Sequence, residues 1–195
     1  MLERATTPRG PRWNRLYETA ATQEGHFTTA QAASAGFSPQ LLAKYLKNGR
    51  IVRLRRGIYR LVHFPPGEHE DLTVLRLWSE RAGVFSHETA LALHDLSDVL
   101  PATVRLTVPR DWSSRRLRVP IGVALHFADL PAGDRTWVGA VEVTTPARTI
   151  IDCAADHVSP EIVERAIEQG LHRGIFSAAK IQPAIESLRL FEEGQ

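Results

Sequence analysis

Residues 25–61 read GHFTTAQAASAGFSPQLLAKYLKNGRIVRLRRGIYRL. The stretch holds two Lys and five Arg (Lys44, Lys47, Arg50, Arg53, Arg55, Arg56, Arg60) and no Asp or Glu. Its punctuation gives an order of parts. Thr28 caps a short alanine-rich helix near 29–35, and Gly36 makes the turn. Ser38-Pro39 is an N-cap followed by Pro at the first helical position. The second helix runs over about 39–48 and stops at Asn48-Gly49. IVRLR and IYRL then flank Arg56-Gly57 as two short strands, with Gly57 permitting the tight turn. Helix, turn, helix and basic hairpin make a winged helix-turn-helix, a device that places one helix in a DNA groove.

At 100° per residue, Leu41, Leu42, Tyr45 and Leu46 cluster on one side of the second helix. Gln40, Lys44 and Lys47 fall on the other side, within about 60° of one another. The first set packs the head. The second set suits the major groove, where Gln can read adenine and Lys can read guanine or hold phosphate. In the hairpin, Arg53 and Arg55 alternate with Val52 and Leu54, so the pattern sends arginines one way and apolar residues the other. Arg55 and Arg56 at the tip suit backbone or minor-groove contact. The candidate DNA-binding residues are Thr28, Thr29, Ser38, Gln40, Lys44, Lys47, Arg50, Arg53, Arg55 and Arg56.

The net charge of +2 conceals an asymmetry. Residues 1–64 carry 11 Lys and Arg against 3 Asp and Glu, a balance of +8; residues 65–195 carry 13 against 19, a balance of −6. Cationic residues gain affinity for DNA by releasing its counterions, and an acidic body is repelled by it. The sequence therefore divides into a DNA-binding head over 1–64, with a loose Pro- and Gly-bearing arm over 1–11, and an α+β body over 65–195. In the head, a first helix is expected over 12–23, ended by Gly25. Phe64-Pro65-Pro66-Gly67 is the linker candidate, because it breaks helix and strand where the charge changes sign.

In the body, helices are expected over 70–81, 86–94, 146–155, 160–172 and 177–190, with caps at Ser86, Ser159 and Ser177. Strands are expected over 103–108, 123–127 and 138–144, in a small mixed or antiparallel sheet. Three clusters invite a functional reading. Ser86, His87, Glu88 and His94 bring two His onto one helix face seven residues apart, but a zinc helix places them four apart, so capping and packing are expected and no metal site. Arg148 and Asp152 form an i,i+4 pair, an ion pair by default or a tie between helix and sheet. Arg105, Arg110, Arg115, Arg116 and Arg118 surround Trp112, as a solvated loop or as an extension of the DNA footprint anchored by Trp112.

The motifs resemble the AbiEi family of bacterial antitoxins, the transcriptional-regulator half of type IV toxin–antitoxin pairs. The head pattern of that family is carried by Thr28, Gln31, Ala32, Gly36, Phe37, Ser38, Leu42, Leu46, Gly49, Ile51, Arg53, Leu54, Arg56, Gly57, Ile58 and Tyr59. VFSHETALALHDLSD, VRLTVP and VTTPARTIIDCAAD extend the likeness, more loosely, over about residues 12–185. The resemblance implies an operon autoregulator that binds inverted repeats in promoter DNA and a C-terminal domain that counters a nucleotidyltransferase-like toxin.

The alternative is a winged-helix nuclease or nucleotidyltransferase-like enzyme. Such chemistry needs clustered metal-binding carboxylates. The acidic candidates, Asp152/Asp156 and Glu161/Glu164/Glu168, sit at helical spacing, and Lys180 is the only body lysine, so no enzyme and no cofactor is expected. A protein–protein adaptor accounts less well for the basic wing. Cys153 is the single cysteine, which excludes an intrachain disulfide, and its surroundings IIDCAAD read as buried helix. The N-terminal MLERATTPRGPRW lacks an apolar signal core, and no apolar run reaches the roughly 18–20 residues that span a bilayer. The expectation is a cytoplasmic protein without a membrane partner.

Overall fold

The structure, a computed structural model, describes residues 11–98 and 101–193. Apart from Pro11, the expected N-terminal arm lies outside the described residues. The chain forms two compact units, Met1–Arg81 and Ala82–Gln195. Eight α-helices and two small sheets appear among the described residues, so the α+β reading holds.

The first unit runs α1 (Trp13–Ala21), β1 (His26–Thr28), α2 (Thr29–Ser34), α3 (Pro39–Lys47), β2 (Ile51–Arg55), β3 (Ile58–Leu61) and α4 (Glu70–Trp78). Leu16 and Ala20, one turn apart on α1, are buried. The chain leaves α1 through Glu24 (φ +51°) and Gly25 (φ +82°). A Cβ at Gly25 would stand 2.6 Å from Cγ of Phe64, so both the backbone angle and the close approach demand glycine. β1 is absent from the sequence reading, since three residues are too few to display a period. It nevertheless supplies Phe27, which is fully buried and stacks on Tyr59 with ring centroids 5.6 Å apart. The wing is thus a three-stranded antiparallel sheet in the order β1-β3-β2.

The core of this unit joins Leu16, Ala20, Phe27, Ala32, Phe37, Leu42, Ile51 and Leu61. Burying a side chain of this size contributes about 1.5–3 kcal/mol. Val52 and Leu54 do not face the core; they are 40 % and 43 % exposed, and Ile51 is the buried residue of β2. β2 is an edge strand with an irregularity between Arg53 and Arg55, and Ile51, opposite Leu61, is its one buried residue. Ile58, next to Tyr59 and so on the opposite face of the sheet, packs with Val74, Leu77 and Trp78 of α4.

α4 belongs to the first unit, although the composition break falls at 64/65. The Glu24 carboxylate accepts from the His69 amide (3.3 Å) and the Thr73 hydroxyl (3.1 Å). Arg60 pairs with Glu70 at 2.7 Å. Pro65 and Pro66 interrupt secondary structure, but these polar ties hold the next helix to the head.

The second unit runs β4 (Val84–Phe85), α5 (His87–Leu93), β5 (Val104–Val108), β6 (Val123–Phe127), β7 (Arg135–Val138), β8 (Val141–Thr144), α6 (Pro146–Ala155), α7 (Pro160–His172) and α8 (Gln182–Glu193). Its mixed sheet has the order β6-β5-β4-β8-β7, with β4–β8 and β5–β6 parallel. The single strand expected over 138–144 is a hairpin of β7 and β8, turned at Gly139 (φ +55°). The helix expected over 177–190 is a 3-10 turn, Ala178–Ile181, followed by α8. Pro183 lacks the N–H that a continuous helix would need there.

Leu91 and Leu96 pack with Ile150, Cys153, Val163, Ala166 and Ile181. Gly170 admits the Phe176 ring: a Cβ there would fall 2.1 Å from Cζ. Cys153 is buried, and burial raises its thiol far above the ordinary range. Trp112 is 5 % exposed, which removes it as a DNA anchor; Arg115 lies over its ring at 4.2 Å. Arg148 binds Asp152 (2.7 Å) and Asp134 (3.0 Å), tying α6 to the segment that precedes β7.

Candidate nucleic-acid interface

α3 presents the expected faces. Leu42 is buried, Leu41, Tyr45 and Leu46 are half-buried, and Gln40, Lys44 and Lys47 are exposed. Proline at the first position and the Ser38 hydroxyl, which accepts from the Leu41 amide at 3.2 Å, fix where this helix starts. The residues after it continue the cationic surface: Arg50, Arg53, Arg55 and Arg56 are all exposed. The Arg50 guanidinium lies 5.5 Å from the Tyr45 ring centre, and Arg53 Nε donates to the Arg55 carbonyl at 3.4 Å.

Charge pairing separates the arginines of the head by role. Among the described residues, no carboxylate pairs with Lys44, Lys47, Arg50, Arg53, Arg55 or Arg56. Arg60 is half-buried and neutralised by Glu70. Its guanidinium also donates to the carbonyls of Leu61, Phe64 and Pro65. Burial raises the Glu70 carboxyl, but the Gly67 amide and Arg60 more than offset this and hold it below its ordinary value.

The threonines are occupied by local structure. Thr28 and Gln31 form a capping box: the Thr28 hydroxyl accepts from the Gln31 amide, and the Thr28 amide donates to Oε1 of Gln31 at 2.8 Å. The exposed Thr29 hydroxyl donates to the Gly57 carbonyl at 3.4 Å, linking α2 to the turn of the wing. Gln31 also exchanges hydrogen bonds with the buried Gln23, which donates to the His26 carbonyl. The sequence reading missed Gln23, His26 and Glu24, which brace the head from beneath. No short spacing links them to the surface they support.

A basic helix beside a basic wing makes this head a winged helix. Residues 14–62, from α1 to just past β3, match the family described as "Transcriptional regulator, AbiEi antitoxin". The resemblance carried by the head motif is therefore met over the residues that form it. The match supports a DNA-binding regulatory role. No curated protein matches the chain. Among solved structures, the chain is similar to the RV2827C protein from Mycobacterium tuberculosis, with a TM-score of 0.44 and 18% identity, covering 94% of this chain and 80% of that one. No helix among the described residues is long and apolar enough to cross a membrane.

Proposed function

We propose that the protein is a non-enzymatic transcriptional regulator of the antitoxin type, binding inverted repeats in its own promoter. α3 reads the major groove through Gln40, Lys44 and Lys47. Arg53, Arg55 and Arg56 of the wing hold the flanking backbone, and Arg50 adds to the field between them. One observation carries this reading: among the described residues, no outward cation of α3 or the wing has an acidic partner, while the inward Arg60 has one. Unpaired surface cations offer phosphate a site without first breaking an internal ion pair. Thr28 and Ser38 serve the interface by fixing the starts of α2 and α3. The family likeness of the head extends the proposal to a cytoplasmic protein paired with a nucleotidyltransferase-like toxin.

The test is binding to the native promoter duplex and to a scrambled duplex of equal length at two salt concentrations. Tighter promoter binding that persists in added salt is expected. Lys44→Ala with Lys47→Ala should lower the preference for promoter. Arg55→Ala with Arg56→Ala should weaken both duplexes and flatten the salt slope by about one to two. Wild-type binding by the folded fourfold variant would remove this surface from the proposal.

A further inference from the structure

His87, His126 and Asp156 come from three different elements of the body and converge. His87 opens α5, His126 lies in β6, and Asp156 caps the C-terminus of α6. Their ligand atoms lie within 4.8 Å of one another. His87 Nε2 is 3.2 Å, and His126 Nδ1 3.0 Å, from the same oxygen, Oδ2 of Asp156. The two imidazoles stack with centroids 3.8 Å apart and planes 20° apart.

We propose that these three residues form a binding site for a divalent transition-metal ion of the zinc class. Donors at 2.0–2.2 Å from zinc in a tetrahedron are about 3.3 Å apart, close to the two nitrogen–oxygen separations found here. Two imidazole nitrogens and one carboxylate oxygen select zinc, cobalt or nickel over magnesium or calcium, which prefer all-oxygen shells. Three protein donors leave a fourth position for water or a further ligand.

The surroundings hold the donor rings in place. The far nitrogen of His87, Nδ1, is 2.9 Å from the Ser86 hydroxyl, which accepts from the Thr107 hydroxyl at 2.8 Å. Such outer partners fix the ring of a metal-binding histidine and leave its other nitrogen to the ion. His87 holds φ +52°, a backbone region uncommon outside glycine, and its ring still lies against His126. Asp156 is 48 % exposed in its side chain and gives an ion a way in from solvent.

The site would clamp α5 and β6 to the end of α6, so an ion would stabilise the body. The experiment is titration of tag-free, chelator-stripped full-length protein with Zn²⁺, using a competing chromophoric chelator, together with Co²⁺ absorption in the visible. One equivalent should bind, and Co²⁺ should give ligand-field bands of a four-coordinate site. Asp156→Asn and His126→Gln, each checked for folding by circular dichroism, should each weaken Zn²⁺ at least tenfold and dim those bands. Absence of stoichiometric binding, or binding that both folded variants retain, overturns the proposal; the latter would place the ion on other histidines. DNA plays no part in this measurement, so its outcome is independent of the head.

Discussion

The head and the body assemble their candidate sites in opposite ways. The residues proposed to meet DNA lie within one run, 38–56, on α3, β2 and the positions beside them. The three residues of the body cluster stand at 87, 126 and 156, and only the packing of α5, β6 and α6 brings them together. A periodic local surface can be read from sequence, because helix and strand geometry fix where successive side chains point. A cluster drawn from three elements has no period, and His87 and His94 show the consequence. They share a helix and a sevenfold spacing, but His94 Nε2 lies 2.7 Å from the Thr144 carbonyl while His87 meets His126 and Asp156.

The comparison can be broken most severely at Phe27. Its site looks local, yet α2, α3 and the wing rest on this fully buried ring. Phe27→Ala should cost about 3–5 kcal/mol of stability in urea denaturation and abolish DNA binding at temperatures where the variant unfolds. Retained stability would mean that the motif folds without the tertiary support assigned to β1.

Arg60 and Arg56 sharpen the contrast within the head, since both are arginines of the same hairpin. Arg60→Ala should lower stability by about 1–3 kcal/mol, because it strands a partly buried Glu70, and should leave DNA affinity within about twofold. Arg56→Ala should do the reverse: stability within about 0.5 kcal/mol, and weaker binding to every duplex. Equal behaviour of the two variants in both assays would undo the proposed division between structural and DNA-contacting cations.

Acid should separate the two sites in a different way. His87 is pushed down to about 4, first by burial and then by the charge of His126. Asp156 and Glu88 oppose the shift, and Arg105 adds to it. The unfolded chain binds that proton near 6.5 and the folded chain near 4, so the unfolded state holds more protons between these values. Stability is therefore full above about 6.5 and falls as pH drops toward 4. Burial also lowers His26 and His94, which act in the same direction. Denaturation midpoints measured from about pH 7 to pH 5 should fall steadily. A flat profile would show that these histidines are not held neutral by the fold.

The smallest effect concerns Ser38. Ser38→Ala should cost about 1 kcal/mol through loss of the helix cap, with DNA affinity falling only as α3 frays. A large loss of affinity at unchanged stability would make Ser38 a direct DNA contact.

Much of the head was legible because its signals are local: Ser38-Pro39 starts α3, Asn48-Gly49 ends it, and Gly57 turns the wing. Where the reading failed, longer-range forces had decided. Val52 and Leu54 alternate with Arg53 and Arg55, yet both are exposed and Ile51 is the buried residue of β2. β1 and β4 are too short to carry a period and exist because neighbouring strands complete their hydrogen bonds. Trp112 sits in a basic loop but fills the body's interior, because burying an indole outweighs its neighbours' charge.

By itself the sequence determined a basic winged-helix head, the outward face of α3, the mixed α+β body and the absence of a disulfide, since periodicity, caps, charge and cysteine count are properties of neighbouring residues or of composition. Tertiary structure decided which arginine is neutralised, that α4 joins the head, and that His87, His126 and Asp156 meet. Those outcomes depend on distances between residues far apart in the chain, which are set only when the cores close.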